Sequence, residues 1–256
     1  MKECGAMNNI KMVVVDLDDT LLKRDKTISA YSLHVFQRLH EQGILIALAT
    51  ARSYESAQTF HNALKTDADI VSGGCLVYAG ETLLKIHHLP MPQTPKLLAE
   101  LDAHTPNKRV SARSLERKYA NIPVEGRLCV DFQSPFPDKL LHCSCRTEDD
   151  AFMQAIMIKY PEFSYAKDAG SNLYDINPKE ATKLNGIREV VKHFNISLSE
   201  VIAFGDNHSD IEMLQHCGIG VAMSNAIDEC KAVASFLCGD CDEDGVARWL
   251  DNAILS

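Results

Sequence analysis

Short apolar runs and amphipathic stretches alternate along the first third of the chain. The runs at residues 11–18 and 44–52 are rich in valine, isoleucine and leucine, which is typical of strands buried on both faces. The stretch 29–43 between them repeats its apolar side chains at helical spacing, and residues 53–64 and 69–74 continue as a helix and a strand. This βαβαβ order predicts a parallel sheet with right-handed crossovers.

The same alternation returns near the C-terminus. Residues 181–195 are predicted to form a helix, because the apolar side chains from Leu184 to Phe194 recur at helical spacing. Strands are predicted at 201–206 and 218–223, followed by helices and one more short strand. We therefore expect the two ends of the chain to build one Rossmann-like α/β domain.

The middle of the chain follows a different pattern. Residues 76–88 and 163–178 are predicted to form hairpins, and helical stretches lie between these segments. Residues 104–139 carry no clear period and are expected to be rich in loops. The pattern predicts an inserted α+β cap domain at 80–178, inside a core domain made of residues 1–79 and 179–256.

The composition narrows the class of protein. Of the 256 residues, 46% are hydrophobic and 24% are charged, which is typical of a globular chain. The net charge of −9 argues against a nucleic-acid partner, because no basic excess is available to contact phosphates. No apolar run is long enough to span a bilayer, and the first ten residues lack the apolar stretch of a signal peptide. We expect a cytoplasmic protein without a membrane partner, and its oligomeric state stays open.

Polar side chains with catalytic potential follow the predicted core strands. Asp16 and Asp18 come directly after the first strand, Thr50 ends the second, and Asp206 ends the strand at 201–206. Lys183 lies at the start of the helix that precedes this last strand. Because ligands bind at the carboxyl ends of strands in parallel sheets, we expect these side chains to share one site.

These motifs resemble those of the haloacid dehalogenase-like (HAD) superfamily. The matching stretches are DLDDTLL, ATAR, the lysine of INPKEATKLNGI, and GDNHSDIEML. The position of the insert is similar to that of members with the larger, type C2, α+β cap. VAMSNA and DEDGVARWL resemble the end of the Cof-type sugar-phosphatase-like subfamily.

The resemblance implies a Mg²⁺-dependent phosphatase for small phosphorylated metabolites, with sugar phosphates as one candidate class. In this reading the Asp16 carboxylate attacks phosphorus and forms an aspartyl-phosphate. Asp18 protonates the leaving oxygen and later activates water, for which we expect a raised pKa. The implied Mg²⁺ ligands are Asp16, the backbone carbonyl of Asp18, and Asp206.

The resemblance also implies phosphate contacts and supporting residues. Thr50, Ala51, Lys183 and Ser209 match the positions that hold the phosphoryl oxygens. Asp210 and Asn207 are expected to support the site without contacting the phosphate.

Three positions depart from the family pattern. Asp19 and Ala51 stand where glycine is usual, and Ser209 stands where asparagine is common. Arg52, directly after Ala51, is predicted to be structural rather than catalytic. The sequence leaves two alternatives to the phosphatase open, a phosphomutase of the same fold and a catalytically weak homologue that binds metal or ligand.

Overall fold

The computed structural model describes residues 9–104, 108–134, 138–167 and 171–256. Its strands, in chain order, are β1 (Met12–Val15), β2 (Leu45–Ala49), β3 (Ala68–Val71), β4 (Leu76–Ala79), β5 (Thr82–Ile86), β6 (Val110–Ser114), β7 (Lys118–Ala120), β8 (Leu128–Cys129), β9 (Leu140–Arg146), β10 (Phe163–Lys167), β11 (Leu173–Pro178), β12 (Val201–Gly205), β13 (Ile219–Ala222) and β14 (Phe236–Leu237). Its helices are α1 (Ala30–Glu41), α2 (Tyr54–Leu64), α3 (Gln93–His104), α4 (Asp150–Lys159), α5 (Lys183–His193), α6 (Ile211–His216), α7 (Asp228–Val233) and α8 (Gly245–Ala253).

The chain divides into two compact units. The first contains Met1–Ile86 and Thr182–Ser256, and the second contains His87–Ala181. The predicted domain boundary at residue 80 therefore lies inside a hairpin of the first unit. The physical reason is that β4 pairs antiparallel with β3, and β5 pairs with β4, so the hairpin extends the core sheet.

The first unit is built on an eight-stranded sheet in the order β14-β13-β12-β1-β2-β3-β4-β5. The strands from β14 to β3 are mutually parallel, which confirms the predicted α/β class. The central strand β1 has β12 on one side and β2 on the other, and Val15 pairs with both Phe204 and Leu48. All four side chains of β1 are fully buried, as its apolar sequence predicts.

Helix α1 shows why the predicted elements form where they do. The Ser29 hydroxyl accepts a hydrogen bond from the backbone N–H of Ser32 at 2.9 Å, which confirms the predicted N-cap. Phe36 and Leu39 are buried on the face predicted to be apolar. The helix ends before Gly43, whose φ of +76° lies in the left-handed region that glycine adopts most readily.

The second unit contains a six-stranded sheet in the order β10-β11-β9-β6-β7-β8. Its pairs are antiparallel except β7 with β8. The segment at 104–139, predicted to be rich in loops, also contains the three short strands β6, β7 and β8. These strands are short: β6 pairs with β9, β7 with β6 and β8 with β7. A local sequence pattern cannot reveal such pairing between distant segments. Buried side chains such as Leu97 and Ile176 form a separate hydrophobic core for this unit.

In the part of the chain that the structure describes, no helix combines the length and the apolar character needed to cross a membrane.

Candidate active site

The ends of three neighbouring strands bring the predicted residues together in the first unit. The backbone N–H of Asp16 donates to the carbonyl of Phe204 at 3.1 Å, which ties the end of β1 to β12. On the other side, the N–H of Thr50 donates to the carbonyl of Ile70 at 2.8 Å. The side chains of Asp16, Thr50 and Asp206 are all buried, so the strand ends hold polar groups away from bulk water.

A tight turn follows Asp16. The N–H of Thr20 donates to the carbonyl of Leu17 at 3.4 Å, which makes Asp18 and Asp19 the two central residues. The Thr20 hydroxyl donates to Oδ1 of Asp206 at 2.7 Å. This bond joins the turn to the end of β12, and it agrees with the buried position of the Thr20 side chain.

Lys183 is the only cation in direct contact with Asp16 among the described side chains. It is the first residue of α5, whose N-cap Thr182 accepts from the N–H of Asn185. The Lys183 ammonium donates to Oδ1 of Asp16 at 2.7 Å and to Oδ1 of Asp210 at 2.6 Å. All three side chains are almost completely buried, so these charge-assisted bonds are not exposed to solvent screening.

Asp210 supports the site from behind. Its Oδ2 accepts from the backbone N–H groups of Asp206 and Asn207, each at 3.0 Å, while its Oδ1 accepts from Lys183. The Asp210 Cβ lies 2.4 Å from where a Cβ on Gly205 would be, so only glycine fits there. Since both oxygens of Asp210 are engaged, this carboxylate shapes the turn and orients the lysine.

Three carboxylates share one small volume. Ligand oxygens of Asp16, Asp206 and Asp210 all lie within 4.8 Å of one another. Desolvation raises the pKa of Asp16 to about 7 even though Lys183 opposes the shift. Burial likewise raises the pKa of Asp206 to about 6. Burial opposes the charged form of Lys183, but the carboxylates of Asp16 and Asp210 outweigh it and raise the pKa of Lys183 above its usual value, so this lysine is charged.

These residues fit a divalent cation. When all three carboxylates are ionised, they and the single ammonium of Lys183 leave two uncompensated negative charges. Among the described residues, no side chain donates to the second carboxylate oxygen of Asp16 or of Asp206. A site of carboxylate oxygens with excess negative charge suits a hard cation such as Mg²⁺.

Asp18 lies in a different environment from the one its expected role suggested. Arg52 donates to both of its carboxylate oxygens, with Nε and Nη2 each at 2.7 Å. The Lys26 ammonium is 3.1 Å from the same carboxylate. The Arg52 hydrogen bonds are the largest influence on the Asp18 carboxyl and hold its pKa below the ordinary value. The expectation of a raised pKa is therefore wrong for this structure, since two cations stabilise the charged form.

The other residues predicted to contact phosphate lie at the end of β2 and in the turn that carries Asp210. The Thr50 hydroxyl accepts from the N–H of Arg52 at 3.1 Å. Ala51 is exposed between these two residues, and Ser209 is exposed in the turn that carries Asp210. Asn207 accepts from the N–H of His208 with its Oδ1 and so starts that turn.

The residues that the sequence did not assign to the site are Arg52 and Lys26. Arg52 follows Thr50 and Ala51 directly, so its proximity to the second strand end was a usable signal. Lys26 has a φ of +65° and lies in a turn that is closed by a hydrogen bond from its N–H to the carbonyl of Lys23. This turn brings the Lys26 ammonium to Asp18. No sequence pattern marked this turn.

Comparisons with known proteins identify the family to which the chain belongs. A family model described as haloacid dehalogenase-like hydrolase matches residues 13–125 and 131–250. The 5-amino-6-(5-phospho-D-ribitylamino)uracil phosphatase YitU of Bacillus subtilis is 28% identical over 270 residues, which cover 93% of this chain and 96% of the relative. The pyridoxal phosphate phosphatase YbhA of Escherichia coli is 25% identical and covers 96% of this chain and 99% of the relative.

Solved structures show the same fold. A crystal structure of a protein from Geobacillus kaustophilus matches with a TM-score of 0.84 at 27% identity, covering 96% of this chain and 100% of the other. A haloacid dehalogenase-like hydrolase from Bacteroides thetaiotaomicron matches with a TM-score of 0.82 at 20% identity, covering 95% and 99%. The second likeness speaks for the fold alone.

Proposed function

The chain belongs to the haloacid dehalogenase-like hydrolases and is a phosphatase by enzyme class, and on this premise we propose that it hydrolyses small phosphorylated metabolites through a phosphorylated Asp16. The proposal includes sugar phosphates as substrates and Mg²⁺ as cofactor. The observation that carries it is the buried Asp16 carboxylate at a strand end, 2.7 Å from the Lys183 ammonium and grouped with two further carboxylates. Two aspartates that were merely solvated at a strand end would need neither the buried lysine nor the neighbouring carboxylates.

Asp16 acts as the nucleophile in this proposal. A phosphomonoester is doubly negative, so an attacking carboxylate needs positive charge nearby and a fixed orientation. Lys183 supplies both, because its ammonium lies beside the carboxylate and holds one Asp16 oxygen in place. Mg²⁺, held by Asp16, Asp206 and the backbone carbonyl of Asp18, would neutralise further charge on the phosphoryl oxygens.

The phosphoryl oxygens are held by groups at the end of β2, at the start of α5 and in the turn that carries Asp210. Thr50, the N–H of Ala51 and the Lys183 ammonium contact them in this proposal, and Ser209 adds one hydroxyl. Because the Ser209 side chain is shorter than asparagine, its contribution is the weakest of the four.

Asp18 acts as acid and then as base. The ionised state stabilised by Arg52 suits the second half of the reaction, in which Asp18 takes a proton from the attacking water. In the first half, the bound phosphate dianion is a negative neighbour and raises the pKa of the Asp18 carboxyl. The proton on Asp18 is then donated to the leaving oxygen.

The substrate class follows from the relatives. The phosphatases named above act on 5-amino-6-(5-phospho-D-ribitylamino)uracil and on pyridoxal phosphate, and both are compact phosphorylated metabolites. We extend only this class to the present chain, together with the cytoplasmic location and the absence of a nucleic-acid partner, which stay predictions.

The first test is phosphate release from p-nitrophenyl phosphate and a panel of sugar and cofactor phosphates. It compares wild type with Asp16→Asn, in Mg²⁺ and in EDTA. We expect release that requires Mg²⁺ and falls at least ~1,000-fold in Asp16→Asn. Conversion of a hexose 1-phosphate to its 6-phosphate without net release would identify a phosphomutase. A folded, Mg²⁺-binding protein that turns over no substrate would leave the binding homologue as the explanation.

A further inference from the structure

Two C-terminal stretches resemble the family but have no role in the reaction described above. They are VAMSNA, at residues 221–226, and DEDGVARWL, at residues 242–250. Both contact the loop that carries Asp18. The Asn225 side chain donates from Nδ2 to the backbone carbonyl of Asp19 at 2.7 Å. Its Oδ1 accepts from the backbone N–H of Cys241 at 3.1 Å. One half-buried side chain therefore joins the turn after β1 to the loop that precedes α8.

The Asp19 carbonyl belongs to a turn under conformational strain. Asp19 has a φ of +59°, in the left-handed region, and it is the second central residue of the turn between Leu17 and Thr20. This conformation costs roughly 1–2 kcal/mol for most residues, and less for aspartate and asparagine. The hydrogen bond from Asn225 fixes the peptide plane that follows Asp19. It thereby helps to set the direction in which the side chain of the preceding residue, Asp18, points.

Asn225 is itself held firmly against the metal-binding end of β12. The N–H of Ala226 donates to the carbonyl of Met223 at 3.0 Å. The N–H of Ile227 donates to the carbonyl of Asp206 at 2.9 Å. The turn that bears Asn225 is thus hydrogen-bonded to the same strand end as the rest of the site. The side-chain amide of Asn225 is therefore held in a fixed position.

A second contact joins the same two regions. The Arg24 guanidinium donates to both oxygens of Asp240 at 3.0 Å, and the Arg24 N–H donates to Asp242 at 2.9 Å. Lys26, two residues on, contacts the Asp18 carboxylate. Arg24 supplies the positive charge between the two acidic side chains. Because it is half exposed, this contact is the weaker of the two.

We propose that Asn225 is a positioning residue for Asp18. Its amide holds the turn between Leu17 and Thr20 so that the Asp18 carboxyl faces the leaving oxygen. The contact between Arg24 and the loop at Asp240 assists by holding the segment that bears Lys26. The inference rests on the proposed phosphatase reaction, in which Asp18 is the acid, and it goes beyond that reaction by giving a role to the VAMSNA stretch.

The experiment uses the dependence of the rate on the leaving group. Nitrophenolate departs from p-nitrophenyl phosphate without needing a proton, whereas the alkoxide of a sugar phosphate needs one. The parameter is kcat/KM, which covers steps only up to departure of the leaving group, so later hydrolysis of the phosphorylated enzyme does not enter. A misplaced acid therefore lowers kcat/KM for the sugar phosphate selectively.

The variants separate the two halves of the Asn225 side chain. Asn225→Asp keeps an oxygen for the N–H of Cys241 but has no N–H for the carbonyl of Asp19. We expect its kcat/KM for the sugar phosphate to fall about 10-fold to 100-fold more than for p-nitrophenyl phosphate. Asp18→Asn removes the acid itself and gives the largest difference expected between the two substrates. Ser224→Ala, at the exposed neighbouring position, is the matched control.

Each outcome bears on the inference. Equal losses on both substrates, or no loss, in an Asn225→Asp protein that melts like wild type would show that Asn225 does not position the acid. Where Asn225→Asp is unstable, Asn225→Ala in the Asp18→Asn background gives the answer, because a positioning residue adds no further selectivity once the acid is gone. A wild-type enzyme that releases phosphate from neither substrate removes the proposed function itself, and that result differs from a loss confined to the variant.

Discussion

The side chain of Asp18 is controlled by the cations around it. Arg52 presents two N–H groups in the fork geometry that matches a carboxylate, and the Arg52 guanidinium also lies 4.8 Å from the ring centroid of Phe60. A side chain held on two sides has few rotamers available. Arg52 therefore orients the acid before any substrate arrives.

Substitution of Arg52 tests this orientation. We expect Arg52→Ala to lower kcat/KM about 10-fold to 100-fold, because a displaced acid costs this much in comparable sites. The kcat/KM of Arg52→Lys is expected to lie between those of wild type and Arg52→Ala, since lysine keeps the charge but cannot make the two parallel hydrogen bonds. The pair is partly exposed, so unfolding free energy should change by less than about 1 kcal/mol. Steady-state kinetics and thermal melts measure both, with the exposed Arg188→Ala as control; unchanged kcat/KM in Arg52→Ala would contradict the assignment.

The raised pKa values of Asp16 and Asp206 make the metal-free protein sensitive to pH. Between about pH 4 and the folded pKa values of about 7 and 6, the native state keeps protons that the unfolded state has lost. Stability then falls as pH rises through this window. In EDTA we expect Tm to drop between pH 5 and 8, at about 2–4 °C per kcal/mol. Added Mg²⁺ should restore it most at pH 8.

Asp206→Asn is the matched variant for this measurement. Its side-chain oxygen can still accept from the Thr20 hydroxyl, so the main change is the loss of one charge. We expect a flatter Tm against pH in EDTA and little response to Mg²⁺. A Tm that rises with pH in EDTA would contradict the electrostatic account.

At the scale of elements, the position of α5 depends on a close approach to the sheet. A Cβ on Gly186 would lie 2.5 Å from Cγ2 of Ile70 on β3. Since Ile70 is fully buried, it cannot move aside easily. Lys183 stands one turn before Gly186 on the same helix, so the depth at which α5 packs also sets the reach of the lysine.

Gly186→Ala should destabilise the protein. Alanine favours a helix by about 1 kcal/mol relative to glycine, but overpacking costs typically 1–3 kcal/mol. We expect a net loss of about 1 kcal/mol, measured by chemical denaturation, and reduced activity because Lys183 shifts. Adding Ile70→Ala should recover part of the activity by making room. Arg188→Ala, exposed on the same helix, is the control, and a Gly186→Ala protein more stable than wild type would contradict the packing argument.

At the scale of the whole molecule, the two units have separate hydrophobic cores. Residues such as Val14 and Ile187 fill the core of the first unit, and residues such as Leu97 and Ile176 fill that of the second. The candidate site belongs to the first unit. Damage to the second core is therefore expected to leave the grouped carboxylates of Asp16, Asp206 and Asp210 in place.

Leu97→Ala tests this independence. Removing a fully buried leucine costs about 2–5 kcal/mol. We expect calorimetry to show one transition that moves to lower temperature, and a second transition that keeps its temperature and its stabilisation by Mg²⁺. Ile158→Ala, at a largely exposed position of the same unit, should change stability by less than about 0.5 kcal/mol. A single transition that shifts as a whole would show that the units unfold together.

The elements with local signals were predictable from the residue pattern alone. Continuous apolar runs predicted β1 and β2, helical spacing and a serine cap predicted α1, and motif order predicted that Asp16, Lys183 and Asp206 would converge. Convergence was predictable because parallel strands present their carboxyl ends at one edge of the sheet. The helix and strand periods need no information from distant residues.

Features that depend on distant partners became visible with the folded structure and not before. Strand β6 pairs with β9, β7 with β6 and β8 with β7, and the hairpin of β4 and β5 joins the core sheet through β3. The charge state of Asp18 likewise depends on Arg52, 34 residues away in sequence. The physical reason is the same in each case: pairing, burial and Coulomb interactions act through space, and a local pattern of residues contains no record of which distant groups will be near.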